Sequence, residues 1–120
     1  MSPLAGLRYV VTICSTSPGH AGVLHLTVRH AFAEDGSFAS EILAGPAGAL
    51  PDGPRGRAEL IAEQGEALIF RSEVDGSERP STTVLTLHSA TAGEVFSTDG
   101  DEWVRGIAAS EALPAIAHEH

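Results

Sequence analysis

The sequence predicts a mainly β fold, a small antiparallel barrel or sandwich of about seven strands with one or two short helices. Several segments alternate apolar and polar residues with a period of two, which is typical of strands. Short clusters of Gly, Pro, Asp and Ser separate these segments and predict turns. A chain of 120 residues has the usual size of one domain with one core. We therefore expect a single β-rich domain over residues 1–120.

The first predicted strand begins at Leu7 and continues to Cys14, with apolar residues at every second position among β-branched neighbours. This composition fits a strand that is covered on both faces. Residues 15–19 then predict a turn, because the proline there restricts φ and the glycine adopts positive φ without steric cost.

Residues 22–33 show the clearest alternation and predict the second strand, which returns through residues 38–44. A three-residue loop with Gly36 in the left-handed conformation pairs Phe32 with Phe38 and keeps one face of the hairpin apolar. A two-residue Asp-Gly turn would instead mix apolar and charged residues on both faces. The three-residue loop is therefore predicted.

Residues 45–56 contain three prolines and four glycines and predict a long loop. Such a loop is either a mobile connector, the simpler interpretation, or the rim of a site. Residues 57–65 are ambiguous. Their composition and terminal glycine favour a short helix, although they also alternate as a strand would.

Residues 66–74, 81–89, 94–98 and 102–107 predict the remaining strands. A two-residue turn at positions 99 and 100 would pair Phe96 with Trp103 and Glu94 with Arg105, one aromatic pair and one charge-complementary pair. The alanine-rich tail, residues 108–120, is expected to fray in part, at its end, with Ser110 as a candidate cap of one short helical turn before Pro114.

The charge balance of the chain excludes several function classes. Sixteen acidic residues against seven basic ones give a formal net charge of −9, and every basic residue is an arginine. Without lysine the chain can form no Schiff base and no P-loop, and without a basic stripe it does not fit a nucleic-acid-binding protein. The absence of lysine and asparagine indicates a GC-rich bacterial genome.

The same sequence predicts a cytoplasmic protein that does not enter a membrane. No apolar run approaches the length needed to cross a bilayer, and the N-terminus lacks a basic leader. The single cysteine, Cys14, agrees with a reducing compartment and is expected to be a small buried hydrophobe. Its catalytic use with His20, across the predicted turn, has little support.

One face of the predicted second strand carries His25, Thr27 and Arg29. If this face lines a barrel, the three side chains contact a ligand. If it faces solvent, they form an ordinary polar surface, which is the more common arrangement in antiparallel sheets.

His30 lies in the apolar row of that strand and is either a hydrogen-bonded core histidine or a pocket base near Tyr9 or Glu41. Because His25 and His30 fall on opposite faces, they do not form a metal site. The segment at residues 99–102 is interpreted as a turn rather than a calcium loop. No metal and no cofactor are predicted. The candidate ligand-binding residues are Tyr9, His25, Thr27, Arg29, His30, Glu41 and Arg71.

No catalytic motif is present, and two functional hypotheses follow. The favoured one is a non-catalytic acidic module that binds a bacterial protein partner or itself, as a homodimer, through an exposed strand edge or apolar face. The alternative is a barrel that binds a small hydrophobic ligand, as an isomerase or cyclase would, through polar side chains in its lumen. A third idea, acid-dependent switching, follows from six histidines on an acidic chain.

Overall fold

The computed structural model describes residues 4–45, 52–89 and 91–110, apart from the side chains of residues 20, 21 and 52. These residues form a closed antiparallel barrel in which each strand pairs with the next and the last closes on the first. The predicted small β barrel is confirmed, with eight strands rather than about seven in the described ranges. The strands are β1 (Arg8–Thr16), β2 (Thr27–Phe32), β3 (Ser37–Ala44), β4 (Asp52–Gln64), β5 (Ala67–Val74), β6 (Ser81–Ser89), β7 (Ala92–Thr98) and β8 (Trp103–Ser110).

The β2–β3 hairpin has the predicted register. Phe32 lies opposite Phe38 and Val28 lies opposite Ile42. Gly36 has a φ of 91°, the left-handed conformation that the three-residue loop requires. The apolar pattern of the two strands was therefore sufficient to select the turn, because a slip of one residue would have moved both phenylalanines to the outer face.

The predicted second strand begins later than the sequence pattern indicated. A 3-10 helix spans Pro18–Val23, and β2 starts only at Thr27. The predicted turn at residues 15–19 is also partly wrong, because β1 continues to Thr16. His25 lies between these elements with a φ of 70°. Its backbone N–H donates to the Ile13 carbonyl, so the chain turns at His25 before it enters the sheet.

The helix predicted for residues 57–65 is wrong, because β4 runs through this segment, Asp52–Gln64. Ala58 and Leu60 pack against the core, whereas Ile61 is exposed. Pairing with β5 along the whole segment outweighs its moderate helix propensity. β4 also takes residues 52–56 of the predicted loop, and residues 46–51 of that loop lie outside the described residues.

The predicted register of the last hairpin is wrong by two residues. Thr98 pairs with Trp103 and Phe96 pairs with Arg105, across a four-residue loop, 99–102. The Asp99 carboxylate holds this loop by accepting hydrogen bonds from two of its backbone N–H groups at 3.0 and 2.9 Å. Phe96 and Trp103 are therefore diagonal rather than direct neighbours across the two strands, but their rings still stack, with centroids 6.1 Å apart.

The final strand is longer than predicted. β8 extends to Ser110, where it pairs with Tyr9 of β1. β8 therefore takes residues 108–110 of the predicted tail, whereas the expected frayed end and the helical turn after Ser110 fall on residues 111–120, outside the described residues. The pairing of β8 with β1 closes the barrel.

No helix of the described part of the chain is long and apolar enough to cross a membrane.

The core fills the lower end of the barrel, defined here as the end where β2 finishes at Phe32 and β3 begins. The Phe32 ring lies 5.7 Å from Phe38 and 5.4 Å from Phe70, measured between centroids, and the second contact is edge-to-face. Leu4, before β1, is buried in the same cluster. The aromatic side chains therefore close the lower lumen and leave space above them.

Candidate functional site

A cavity of about 310 Å³ occupies the upper part of the lumen, between the aromatic core and the end where β1 finishes and β2 begins. Most of its lining is apolar, and no charged side chain of the described residues contributes to it. The apolar lining at the upper end comes from Val23, Leu26, Pro54, Val74 and Val104. The polar lining comes from Tyr9, His30, Ser72, Ser81, Thr83 and Ser97.

Tyr9 and His30 form one polar group on the cavity wall. They lie directly opposite each other on β1 and β2, with ring centroids 5.1 Å apart and an angle of 44° between the ring planes. Burial lowers the pKa of His30 to about 4 and raises the pKa of Tyr9 above its ordinary value, because the apolar surroundings disfavour either charge. Both side chains are therefore neutral at physiological pH.

A serine on β3 holds the imidazole in place. The Ser40 hydroxyl lies 2.6 Å from Nδ1 of His30, and Ser40 is itself buried and paired with His30 across the β2–β3 ladder. This bond engages one ring nitrogen and leaves Nε2 for other partners.

Two polar atoms of this group face the cavity without a protein partner. Neither the Tyr9 hydroxyl nor His30 Nε2 forms a hydrogen bond with any described residue. In the same part of the chain, no fully buried side-chain nitrogen or oxygen lacks a hydrogen bond. Because the Tyr9 hydroxyl and His30 Nε2 have no hydrogen bond, neither atom is fully buried. The open space that they contact is the cavity, since both side chains line it.

A second polar group lies on the wall formed by β5, β6 and β7. Ser72 and Ser81 lie opposite each other across β5 and β6. Thr83 and Ser97 share a hydrogen bond of 3.0 Å between their hydroxyls. The cavity is thus an apolar space with uncharged polar atoms on two of its walls.

Of the seven predicted site residues, only Tyr9 and His30 line the cavity. Arg29 and Glu41 lie on the outer face of the barrel and form an ion pair of 2.6 Å. Thr27 is also outside the lumen, where its hydroxyl lies 3.1 Å from that of Thr12. Thr27 and Arg29 alternate along β2 with the inward Val28 and His30, and Glu41 lies opposite Arg29 on β3, so the barrel places all three toward solvent.

The two other predicted residues also lie outside the lumen. His25 is exposed and precedes β2, so it does not share a strand face with Thr27 and Arg29. Arg71 is exposed on the outer side of β5, in a shallow groove with Arg57 and Glu73. The sequence pattern placed Arg71 on the correct face of its strand but did not show that this face is external.

The serine and threonine residues of the cavity were not recognised from the sequence as site residues. Ser40 had a usable signal, because the predicted β2–β3 register places it opposite His30. Thr83 alternates with Leu85 and Leu87 on the apolar side of β6, and a threonine on such a side indicates a polar position in a lumen. Ser72 and Ser81 had no comparable signal, because their pairing depends on the β5–β6 register.

The remaining sequence candidates do not form a site. Cys14 is exposed, not buried as expected, and its thiol lies 3.4 Å from the Thr12 carbonyl oxygen. The His20 side chain is outside the description. Within the described ranges, no three His, Cys, Asp or Glu side chains come together as metal ligands.

The chain matches no protein-family model, no curated protein and no solved structure, so the cavity residues themselves are the basis for a functional argument.

Proposed function

We propose that this protein binds a small, uncharged, largely apolar molecule in the lumen of its barrel. The observation that carries the proposal is the pair of polar atoms, the Tyr9 hydroxyl and His30 Nε2, that have no partner among the described residues and whose side chains line the cavity. Both atoms reach open space, where solvent or a ligand can bond to them. A ligand that bonds to both atoms combines these two hydrogen bonds with burial of its apolar surface.

The size and polarity of the cavity support the same function. A volume of about 310 Å³ is at the lower end of the range for small-molecule sites. The lining offers uncharged hydrogen-bonding groups and apolar side chains but no cation or anion from the described residues. A charged ligand would lose its hydration without gaining a counter-ion, so an uncharged ligand is favoured.

The proposal is for binding rather than catalysis. An efficient general acid or base has a pKa near the working pH. The pKa of His30 is about 4 and that of Tyr9 is raised, so the first is a weak base and the second a weak acid. The isomerase or cyclase alternative would require a ligand that shifts at least one of these pKa values.

A fluorescence titration with phenylnaphthylamine, an uncharged dye that brightens in apolar surroundings, tests this function. We expect a saturable increase in emission with one dye molecule per chain. Val104 lines the cavity, so Val104→Phe fills part of it and should weaken dye binding about tenfold or more. The matched control is Val10→Phe, which makes the same change at a half-buried residue outside the lumen.

Comparison of Val104→Phe with the control Val10→Phe shows whether the dye binds in the lumen. Loss of binding in Val104→Phe with unchanged binding in Val10→Phe locates the dye in the lumen. No saturable signal in the wild-type protein, or an equal loss in both variants, would contradict the proposal.

Protein binding through the outer face is a second candidate function. Ile69, Val84 and Phe96 form a cross-strand row on the outside of β5, β6 and β7, and Trp103 stacks on Phe96. Because every described strand is paired on both sides, an association would use this face and not a strand edge. The partner is a second copy of the chain or another protein.

Sedimentation at micromolar concentration tests the self-association form of this candidate. A dimer that dissociates in Phe96→Ser would support it. A monomer at all concentrations would contradict homodimer formation.

The cellular setting is part of the proposal. A bacterial source is supported by arginine as the sole basic residue type, and a cytoplasmic location is supported by the single cysteine. Fractionation of the source cells, with antibody detection, tests the location, and recovery outside the cytoplasm would contradict it.

A further inference from the structure

The contact with Ser40 favours the tautomer of His30 that carries its proton on Nε2. The Ser40 hydroxyl lies 2.6 Å from Nδ1 and has no second hydrogen-bond partner among the described residues. If Nδ1 carried the proton, the hydrogen of this buried hydroxyl would have no acceptor. The hydroxyl therefore donates to Nδ1, and the ring proton is on Nε2.

The cavity consequently receives two hydrogen-bond donors from one wall. One is the N–H at Nε2 of His30 and the other is the O–H of Tyr9. The low pKa of His30, about 4, leaves the ring with a single proton at neutral pH and so with a single donor toward the lumen. The two rings are direct cross-strand neighbours with centroids 5.1 Å apart, so both donors belong to the same wall of the cavity.

We infer that the ligand presents a carbonyl oxygen to Tyr9 and His30 and is an uncharged ketone, aldehyde, ester or amide with an apolar body. This inference rests on the proposed binding function. A carbonyl oxygen has two lone pairs and no hydrogen, so it satisfies both donors and adds no further donor to the cavity.

Other ligand groups satisfy this wall less well. A hydrocarbon leaves both donors unpaired. An alcohol accepts both hydrogen bonds but brings a third hydrogen, so it equals the ketone only if it also reaches a hydroxyl on the wall of β5, β6 and β7. A carboxylate accepts both bonds but places a net charge in a space where no described cation lines the wall.

Three probes with one carbon skeleton separate these cases: methyl naphthyl ketone, ethylnaphthalene and the alcohol formed by reducing the ketone. Each competes with phenylnaphthylamine for the wild-type protein. We expect the ketone to bind about tenfold more tightly than ethylnaphthalene, as two neutral hydrogen bonds predict, and more tightly than the alcohol.

The carbonyl stretching frequency of isotope-labelled ketone gives a readout that packing alone would not change. Two hydrogen bonds lower this frequency below its value in an alkane solvent. Tyr9→Phe removes one donor while keeping the ring, so the frequency should rise part of the way and the preference for the ketone should fall. Val10→Phe, outside the lumen, should change neither quantity.

The outcomes separate this inference from the binding function. Equal affinities of the three probes, or an unshifted frequency in the bound ketone, would overturn the carbonyl assignment while leaving the binding function standing. Failure of all three probes to displace the dye from a lumen site would also overturn it. Failure of the dye and of all three probes to bind would overturn the binding function as well.

Discussion

The Ser40 hydroxyl and Nδ1 of His30 lie 2.6 Å apart on neighbouring strands, inside a barrel whose lumen carries no other histidine among the described residues. Ser40→Ala would remove the donor and leave Nδ1 as an unpaired buried acceptor, which costs about 1–3 kcal/mol. We expect a corresponding fall in the free energy of unfolding, measured by urea denaturation.

Ser72→Ala is the matched control for that measurement. Ser72 is as buried as Ser40 and lines the cavity, but its side chain has no hydrogen-bond partner within the described ranges. Its removal leaves nothing unpaired, so Ser40→Ala should be the more destabilising change by about 1 kcal/mol or more. Equal losses would show that the bond between Ser40 and His30 contributes no stability.

The buried imidazole should make stability fall with acid. The pKa of His30 is about 4 in the folded state and about 6.5 in the unfolded chain, so the unfolded state binds the proton first as the pH falls. Between pH 7.5 and 5 this linkage removes about 2 kcal/mol from the free energy of unfolding. His30→Gln should lack this loss, as measured by urea denaturation at both pH values.

His25→Gln provides the comparison, because it removes an exposed histidine that lies outside the cavity. It should follow the pH dependence of the wild-type protein. If His30→Gln instead follows the wild type, His30 is not the source of the acid sensitivity.

The hydrophobic pattern predicted the fold and part of the site, for a physical reason that differs between hairpins. In the β2–β3 hairpin, only one register puts Phe32 and Phe38 on the same dry face, so sequence alone selects it. In the β7–β8 hairpin, Phe96 and Trp103 are on the outer face, and their contact is compatible with more than one register. The register of this hairpin is set by its four-residue loop, which the Asp99 carboxylate stabilises.

The site was harder to predict than the fold, because strand periodicity separates two faces without saying what the dry face encloses. His30 was correctly placed in an apolar row, and Tyr9 was correctly named as a neighbour. Ser72 and Ser81 come together only when β5 and β6 join the closed barrel. Their role therefore depends on long-range pairing that local sequence patterns do not encode.

Barrel closure depends on a glycine of β8 that allows close approach to β1. A Cβ atom at Gly106 would overlap the backbone carbonyl oxygen of Thr12. Because backbone cannot move aside as a flexible side chain can, Gly106→Ala should lower the free energy of unfolding by about 1–3 kcal/mol. Gly22→Ala is the control, since its added Cβ would meet no atom within 4 Å. Similar stability of the two variants would contradict this account of closure.

His88 should respond to pH in the opposite direction from His30. Its Nδ1 lies 2.8 Å from a Glu66 carboxylate oxygen and its Nε2 lies 3.4 Å from one of Glu94. Hydrogen bonds to Glu66 and then Glu94 raise the pKa of His88 above its ordinary value. The folded state therefore holds the proton more tightly than the unfolded chain, and the resulting stability is present below about pH 6.5 and is lost as the pH rises through the folded pKa.

His88→Gln tests that linkage through the melting temperature. The variant should melt below the wild-type protein at pH 6, and the gap should narrow as the pH rises and His88 loses its charge. Salt should reduce the gap at pH 6, because the three side chains are on the solvent-exposed surface. A gap that is constant with pH would mean that packing, and not the charge on His88, accounts for any stabilisation. Because His30 and His88 titrate with opposite effects, acid would lower the free energy of unfolding through His30 while strengthening the outer contact of His88 with Glu66 and Glu94.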